Sequence, residues 1–282
     1  MTTVQPNSRK VVRKLSKPIS SIKPADFVSA LARGLEIIRL FSLDTPRITT
    51  SDAANLTGLS RAAARRFLLT LSELGYLRNE NDMFEPQPKL LELGYAYLST
   101  WNFPQLVTPY LRQVVDQLQE NCSLAVLDGA DVIYIARAEA RRIVQSITIS
   151  VGTRVPAPVS ALGRVLLAHQ PSEVVDALLH QRGLQAATPR TITDPLLFRQ
   201  KLDAVNKQGF ALVDGEFEEG LISIAVPVFG ESGKIVAAIN VGAPESRATP
   251  ELMLERYLPA LQDAAKEISR LIKISGKQPN PL

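Results

Sequence analysis

The sequence predicts an α+β fold: a winged helix-turn-helix domain, then a linker helix, then a larger domain built on an antiparallel sheet. Three observations point to it. The chain has 282 residues, too many for one ordinary domain and suited to two. Between Thr50 and Gly75 a short helical pattern, a glycine turn and a longer capped helical pattern follow one another, and a hairpin comes next. Beyond Pro104, strand-like runs give way to helices and then return, the order of an α+β domain.

Each element has its local reason. Asp26 is expected to cap a helix running to Ser42, with Val28, Leu31, Leu35, Ile38 and Phe41 at helical spacing. Thr50 or Ser51 opens a short helix over 52–57 that stops at Gly58, and Ser60 caps a longer one over 61–74 that Gly75 closes. Two extended pieces, 76–78 and 83–85, flank the polar turn 79–82. A helix after Pro88 ends near Trp101 and Asn102, and another covers 106–120. Strands are expected at 123–127, 132–136 and 143–151, with a hairpin turn at 128–131 between the first two. Helices follow at 159–169, 172–182 and 195–208, then strands at 210–214, 222–229 and 235–241, and an amphipathic helix over 250–274. The corresponding domains are a tail at 1–24, the winged domain at 25–88, the linker helix at 89–102, the second domain at 103–275 and a short tail at 276–282.

Composition narrows the class. Hydrophobic residues make up 45% and charged residues 21%, as in a globular chain. Cys122 is the single cysteine, so no intramolecular disulfide forms, and it is expected to fill core space. No apolar run approaches the roughly 18 residues a membrane span needs, and the basic N-terminus lacks an apolar signal region. A cytoplasmic protein without membrane partners is the expectation. The net charge of +4 is misleading as a sum, because residues 1–24 carry six Lys or Arg and no acid. The remaining 258 residues therefore total −2. That tail, rich in Ser, Lys and Pro, reads as disordered.

The chemistry points to double-stranded DNA. On the 61–74 helix, Ala64, Phe67, Leu68 and Leu71 lie on one face, and Ala62, Arg65, Arg66 and Leu69 on the other, with Arg61 at its flank. Small residues between arginines suit close approach to a major groove, where guanidinium forks meet guanine edges or phosphates. Ser60 and the helix N-terminus favour a phosphate. Thr50, opening the first helix, joins these candidate DNA contacts. An arginine-rich face also suits a solvated surface, and the hairpin that follows favours the winged DNA-binding form.

Enzyme signatures are missing. His169 and His180 are the only histidines and Pro171 separates them, so no metal pair or cofactor is expected. No G-x-S-x-G or phosphate loop occurs, and Glu216, Glu218 and Glu219 read as a solvated turn. A small-molecule enzyme is the alternative from another class.

Several motifs in fixed order resemble the IclR family of bacterial transcription regulators: Gly58-Leu59-Ser60-Arg61-Ala62-Ala63-Ala64-Arg65-Arg66, Leu74-Gly75-Tyr76-Leu77, Leu91-Glu92-Leu93-Gly94, Val151-Gly152-Thr153-Arg154-Val155-Pro156, and Glu219-Gly220-Leu221-Ile222-Ser223-Ile224-Ala225-Val226-Pro227-Val228. The resemblance spans about residues 25–274. Tyr95-Ala96-Tyr97-Leu98-Ser99 and Thr188-Pro189-Arg190-Thr191 resemble its PcaR, PcaU and PobR branch, which regulates the β-ketoadipate pathway of aromatic-acid breakdown. It implies a GAF-like effector-binding C-terminal domain, dimers or pairs of dimers, and an operator of DNA half-sites. The expected effector is a small carboxylate or aromatic acid: protocatechuate, 4-hydroxybenzoate or β-ketoadipate. A small carboxylate from another pathway is the alternative within the family.

The effector residues follow partly from the chain. Ser160, Ala161, Leu162 and Gly163 open a helix whose N-terminus suits a carboxylate. Family pocket positions carry over to Ala161, Leu162, Ser223, Asn240 and Gly242, although relatives often have Ser at the last two. Arg137 and Arg154 are both candidates for a bidentate carboxylate bond, with Arg137 preferred because its strand is otherwise apolar. The competing reading is an ion pair with Asp128 or Asp214, and Asp214 is counted among the effector candidates. The linker face bearing Leu91, Tyr95 and Leu98 suits either dimerisation or packing on its own domain.

Overall fold

The computed structural model describes residues 23–42, 45–101, 103–141 and 149–276. Two compact units divide at Tyr95 and Ala96. The tail over 1–22 and most of the strand expected at 143–151 lie outside the described residues.

The first unit is built on α1 (Ser29–Ile38), α2 (Thr50–Thr57) and α3 (Arg61–Glu73), with a three-stranded antiparallel sheet. That sheet comprises β1 (Ile48–Thr49), β2 (Leu77–Glu80) and β3 (Met83–Pro86), in the order β1-β3-β2. α2 starts where a capping box forms. The Thr49 side chain accepts from the Asp52 N–H at 3.1 Å, and the Asp52 carboxylate accepts from the Thr49 N–H at 2.9 Å. Ser60 caps α3 by accepting from the Ala63 N–H at 3.2 Å. Gly75, at φ +80, ends α3 in a Schellman closure, with the Tyr76 N–H bonded to the Leu71 carbonyl. The hairpin turn is tighter than the sequence suggests. Asn81 and Asp82 alone form it, both at positive φ (52 and 64), as a two-residue primed turn requires. Ile37, Ile48, Ala64, Leu68, Leu77 and Phe84 close the core.

α1 departs from expectation. A 3-10 turn over Pro24–Asp26 takes Asp26 out of the cap position, and Val28 stands there without a side-chain cap bond. Ile37 is the helix's buried side chain, whereas Val28, Leu31 and Leu35 remain exposed. α1 packs on α2 and α3, and its apolar residues exceed what one face buries.

α4 (Leu91–Trp101), after a 3-10 turn at Pro88–Leu90, spans the unit boundary. The second unit starts its core with α5 (Phe103–Leu118). Its sheet has six antiparallel strands: β4 (Cys122–Asp128), β5 (Asp131–Ala138), β6 (Arg154–Pro156), β7 (Ala211–Asp214), β8 (Leu221–Phe229) and β9 (Ile235–Pro244). Their spatial order is β6-β5-β4-β9-β8-β7. Among the described residues of that region β6 is the strand, and residues 149–151 belong to none.

Side-chain alternation on the strands feeds two cores. One face packs α5 and the C-terminal helix through Leu124, Ile224, Ile239 and Ile268. The other packs α6 (Ala161–Ala168), α7 (Ser172–Arg182) and α8 (Pro195–Gln208) through Ala125, Leu162, Ala225 and Ala238. Cys122 is buried in the first core. The C-terminal helix runs as α9 (Pro250–Leu252), a π-helical segment (Met253–Tyr257) and α10 (Leu258–Ser275). Pro259 lacks the N–H for an i−4 bond, and the widened segment lies just before it. Among the described residues, no helix is long and apolar enough to cross a membrane. The expected architecture, a helix-turn-helix unit followed by an antiparallel-sheet domain, is present.

Candidate DNA-reading helix and effector cavity

In the first unit, α3 presents Arg61, Ala62, Arg65 and Arg66 to solvent, with Ser60 at its cap. None of the three arginines makes an ion pair among the described residues. Arg61 and Arg65 border a shallow recess between α3 and the hairpin, shared with Asn79 and Asp82. The hairpin itself is balanced differently. Arg78 pairs with Glu80 and Glu85, and Arg47 also pairs with Glu85 at 2.8 Å. Thr50 departs from the expectation of a DNA contact. It is 1% exposed, and its hydroxyl donates to Asp82 Oδ1 at 2.5 Å, which ties the start of α2 to the hairpin turn.

In the second unit a cavity of about 130 Å³ opens on the α6 side of the sheet. That is roughly ten times the space one water needs, the scale of a small metabolite. Strand register builds its polar floor. Ser123 on β4 faces Arg137 on β5 and Asn240 on β9, so three polar residues form a row across three adjacent strands. Arg137 Nη1 donates to Ser123 Oγ at 2.9 Å, and Nε meets Glu139 Oε1 at 3.3 Å. The Arg137 side chain is 10% exposed. Asn240 Nδ2 donates to Ser223 Oγ at 3.1 Å, and Ser223 donates onward to the Val241 carbonyl at 3.2 Å. Ser223 has therefore already used its proton, and Asn240 keeps a second N–H. Gly242, paired with Ser223 in register, lines the cavity beside it.

Tyr134, Ile149, Val159, Val213, Phe217 and Leu221 supply the walls. Burial pushes the Tyr134 phenol up to about 12, with Arg137 pulling it the other way. The ring therefore stays a neutral donor at ordinary pH.

Several candidates lie elsewhere. Ser160 and Ala161 line the cavity, but Leu162 is fully buried in the core. Gly163 is a packing residue. A Cβ there would stand 2.0 Å from the Ala157 carbonyl oxygen, so the absence of a side chain lets α6 rest on the preceding 3-10 turn, Ala157–Val159. Ser160 Oγ accepts from the Gly163 N–H at 2.9 Å, which occupies part of the helix N-terminus expected to hold a carboxylate. Arg154 is outside the cavity and bonded to Asp128 at 2.5 Å and Asp131 at 3.2 Å, with Arg182 completing the group. The ion-pair reading with Asp128 thus applies to Arg154, while Arg137 takes neither Asp128 nor Asp214. Asp214 is held outside the lining by Arg190 at 3.2 Å.

The acid cluster also departs from expectation. Glu216 is not a solvated turn residue. It is buried, takes a bidentate bond from Arg164 at 2.7 and 2.5 Å, and accepts from the Ile192 N–H at 3.0 Å. Its neighbour Phe217 is thereby held at the cavity wall. Glu120 and Arg247, which also line the cavity, carried no sequence signal because 127 positions separate them.

A family model for the IclR helix-turn-helix domain matches residues 30–81, and one for the bacterial transcriptional regulator IclR C-terminal domain matches residues 95–270. The chain belongs to the IclR family. This IclR-family regulator is 38% identical to the Pca regulon regulatory protein of Pseudomonas putida, over 86% of this chain and 84% of that one. It is 34% identical to the p-hydroxybenzoate hydroxylase transcriptional activator of Acinetobacter baylyi, over 92% and 97%. A solved IclR homolog from Microbacterium hydrocarbonoxydans, complexed with 4-hydroxybenzoate, matches with a TM-score of 0.74 at 28% identity, covering 87% of this chain and all of that one. The family places this chain among DNA-binding transcriptional regulators.

Proposed function

We propose that this IclR-family regulator controls aromatic-acid catabolism genes, that its effector is protocatechuate, 4-hydroxybenzoate or β-ketoadipate, and that it is not an enzyme. The observation that carries the reading is the Arg137–Ser123–Asn240 row beneath apolar and aromatic walls. A guanidinium takes a carboxylate, the row supplies hydrogen bonds beside it, and Phe217 and Tyr134 flank a planar ring. Ser160, Ala161, Ser223 and Gly242 complete the effector site. Relatives acting on the Pca regulon and on p-hydroxybenzoate hydroxylase support the pathway.

In the first unit, Ser60, Arg61, Ala62, Arg65 and Arg66 read a double-stranded operator. Two copies put two recognition helices on successive half-sites. Leu31 and Leu35 on α1, and Leu91 and Tyr95 on α4, are exposed apolar residues suited to the self-association this requires. In this reading residues 25–88 read DNA, 89–102 link and 103–275 bind effector. Such a regulator works in the cytoplasm, where its operator is.

Calorimetric titration with the three acids tests the reading. Saturable binding of at least one, lost in Arg137→Gln, is expected. No heat from any of them at millimolar concentration overturns it.

A further inference from the structure

The charged groups of the effector cavity do not stop at Arg137. Arg247, from the segment after β9, and Glu120, just past α5, line the same cavity. They form a fork-to-fork pair, Nε to Oε1 at 3.0 Å and Nη2 to Oε2 at 2.9 Å. The Glu120 side chain is 6% exposed. The lining therefore holds two guanidinium groups against one carboxylate, a net of one positive charge. Glu139, which touches Arg137, is more than half exposed and is not part of the lining, so solvent screens it.

We propose that the Glu120–Arg247 pair makes this cavity select for ligands with one carboxylate and against those with two; this rests on the effector reading above. One carboxylate of the ligand is met by Arg137. A second that reaches the Arg247 side of the lining meets a guanidinium whose Nε and Nη2 are already given to Glu120, together with the Glu120 charge itself. It can take only the N–H groups of Arg247 that Glu120 leaves over, and it takes them with the buried Glu120 carboxylate alongside. Like charges brought together in a partly desolvated site discriminate by repulsion rather than by fit. Among the three acids named above, protocatechuate and 4-hydroxybenzoate carry one carboxylate and are admitted. β-Ketoadipate carries two and is disfavoured.

The test compares 4-hydroxybenzoate with terephthalate, the same ring bearing a carboxylate in place of the hydroxyl, and adds adipate as a flexible dicarboxylate. Calorimetric affinities are measured on the full chain and on Glu120→Gln, which keeps the side-chain shape and raises the lining to two positive charges. The wild type should prefer 4-hydroxybenzoate to either diacid. Glu120→Gln should shift that ratio toward the diacids by about tenfold. The double variant Glu120→Gln/Arg247→Gln returns the lining to one positive charge and should restore the preference. Wild-type diacid affinity equal to that of the monoacid overturns the inference, as does an unchanged ratio in Glu120→Gln. A ratio that stays shifted in the double variant marks loosening rather than charge and overturns it too. In those three outcomes 4-hydroxybenzoate still binds, so the effector reading stands; silence toward all three probes overturns the inference, and titration with protocatechuate and β-ketoadipate then decides the effector reading.

Discussion

Tyr134 combines two roles at one position: its ring packs in the second core, and the same ring borders the cavity beside Arg137. Its phenol is raised by burial to about 12, against about 10 in an unfolded chain. A proton held more tightly in the folded state stabilises it fully below pH 10. That contribution then fades as pH climbs from 10 to 12, where the unfolded chain has ionised and the folded one has not. The loss amounts to about 2–3 kcal/mol. Tyr134→Phe should therefore flatten the fall in melting temperature between pH 10 and 12, and thermal unfolding across that range measures it; an unchanged alkaline slope counts against the buried-phenol account. Gly163 and Glu216 show the limit of reading single residues. Nothing in the sequence around Gly163 announces the Ala157 carbonyl beneath it, and Glu216 sits in an acidic loop that reads as solvated. Each takes its meaning from a group that the fold delivers.

At the scale of elements, α3 was legible almost to the residue. Its cap at Ser60, its stop at Gly75 and its buried Ala64, Leu68 and Leu71 all depend on bonds and contacts within a few positions. The outward Arg61, Arg65 and Arg66 follow from the same period. Arg65→Ala should cost about 1–3 kcal/mol of operator affinity if it reads a base edge. Fluorescence anisotropy with operator and unrelated DNA separates the cases: a loss confined to the operator marks base reading, and an equal loss on both marks a phosphate contact. α1 was less legible. Its apolar residues keep helical spacing, yet Leu31 and Leu35 face solvent in this chain, because periodicity states which residues share a face and not what covers it. The burial of Thr50 is illegible in the sequence for a related reason. Its partner Asp82 is 32 positions away, and only the hairpin's return brings the two together.

For the whole molecule, charge distribution carries more than charge sum. The +4 of the chain arises from six cationic residues before position 25, and the rest totals −2. Deleting residues 1–24 should weaken binding to unrelated DNA and flatten its salt dependence, by up to ~5 in the log–log slope if every charge meets a phosphate. Operator preference should survive; titrations at several salt concentrations check this, and lost preference would place specificity in the tail. The order of the elements, the cap and stop of α3, the arginine face and the membership of a regulator family are legible without the fold. Those features are written in neighbouring residues, since a helix and its caps are closed by hydrogen bonds over three to four positions. The cavity comes from long-range contacts alone. Arg137, Ser123 and Asn240 become a row through strand register, and Glu120 meets Arg247 across 127 positions, as Arg164 meets Glu216 across 52. Register and long-range ion pairs depend on which strands become neighbours, a choice settled by burying two opposite faces of one sheet at once.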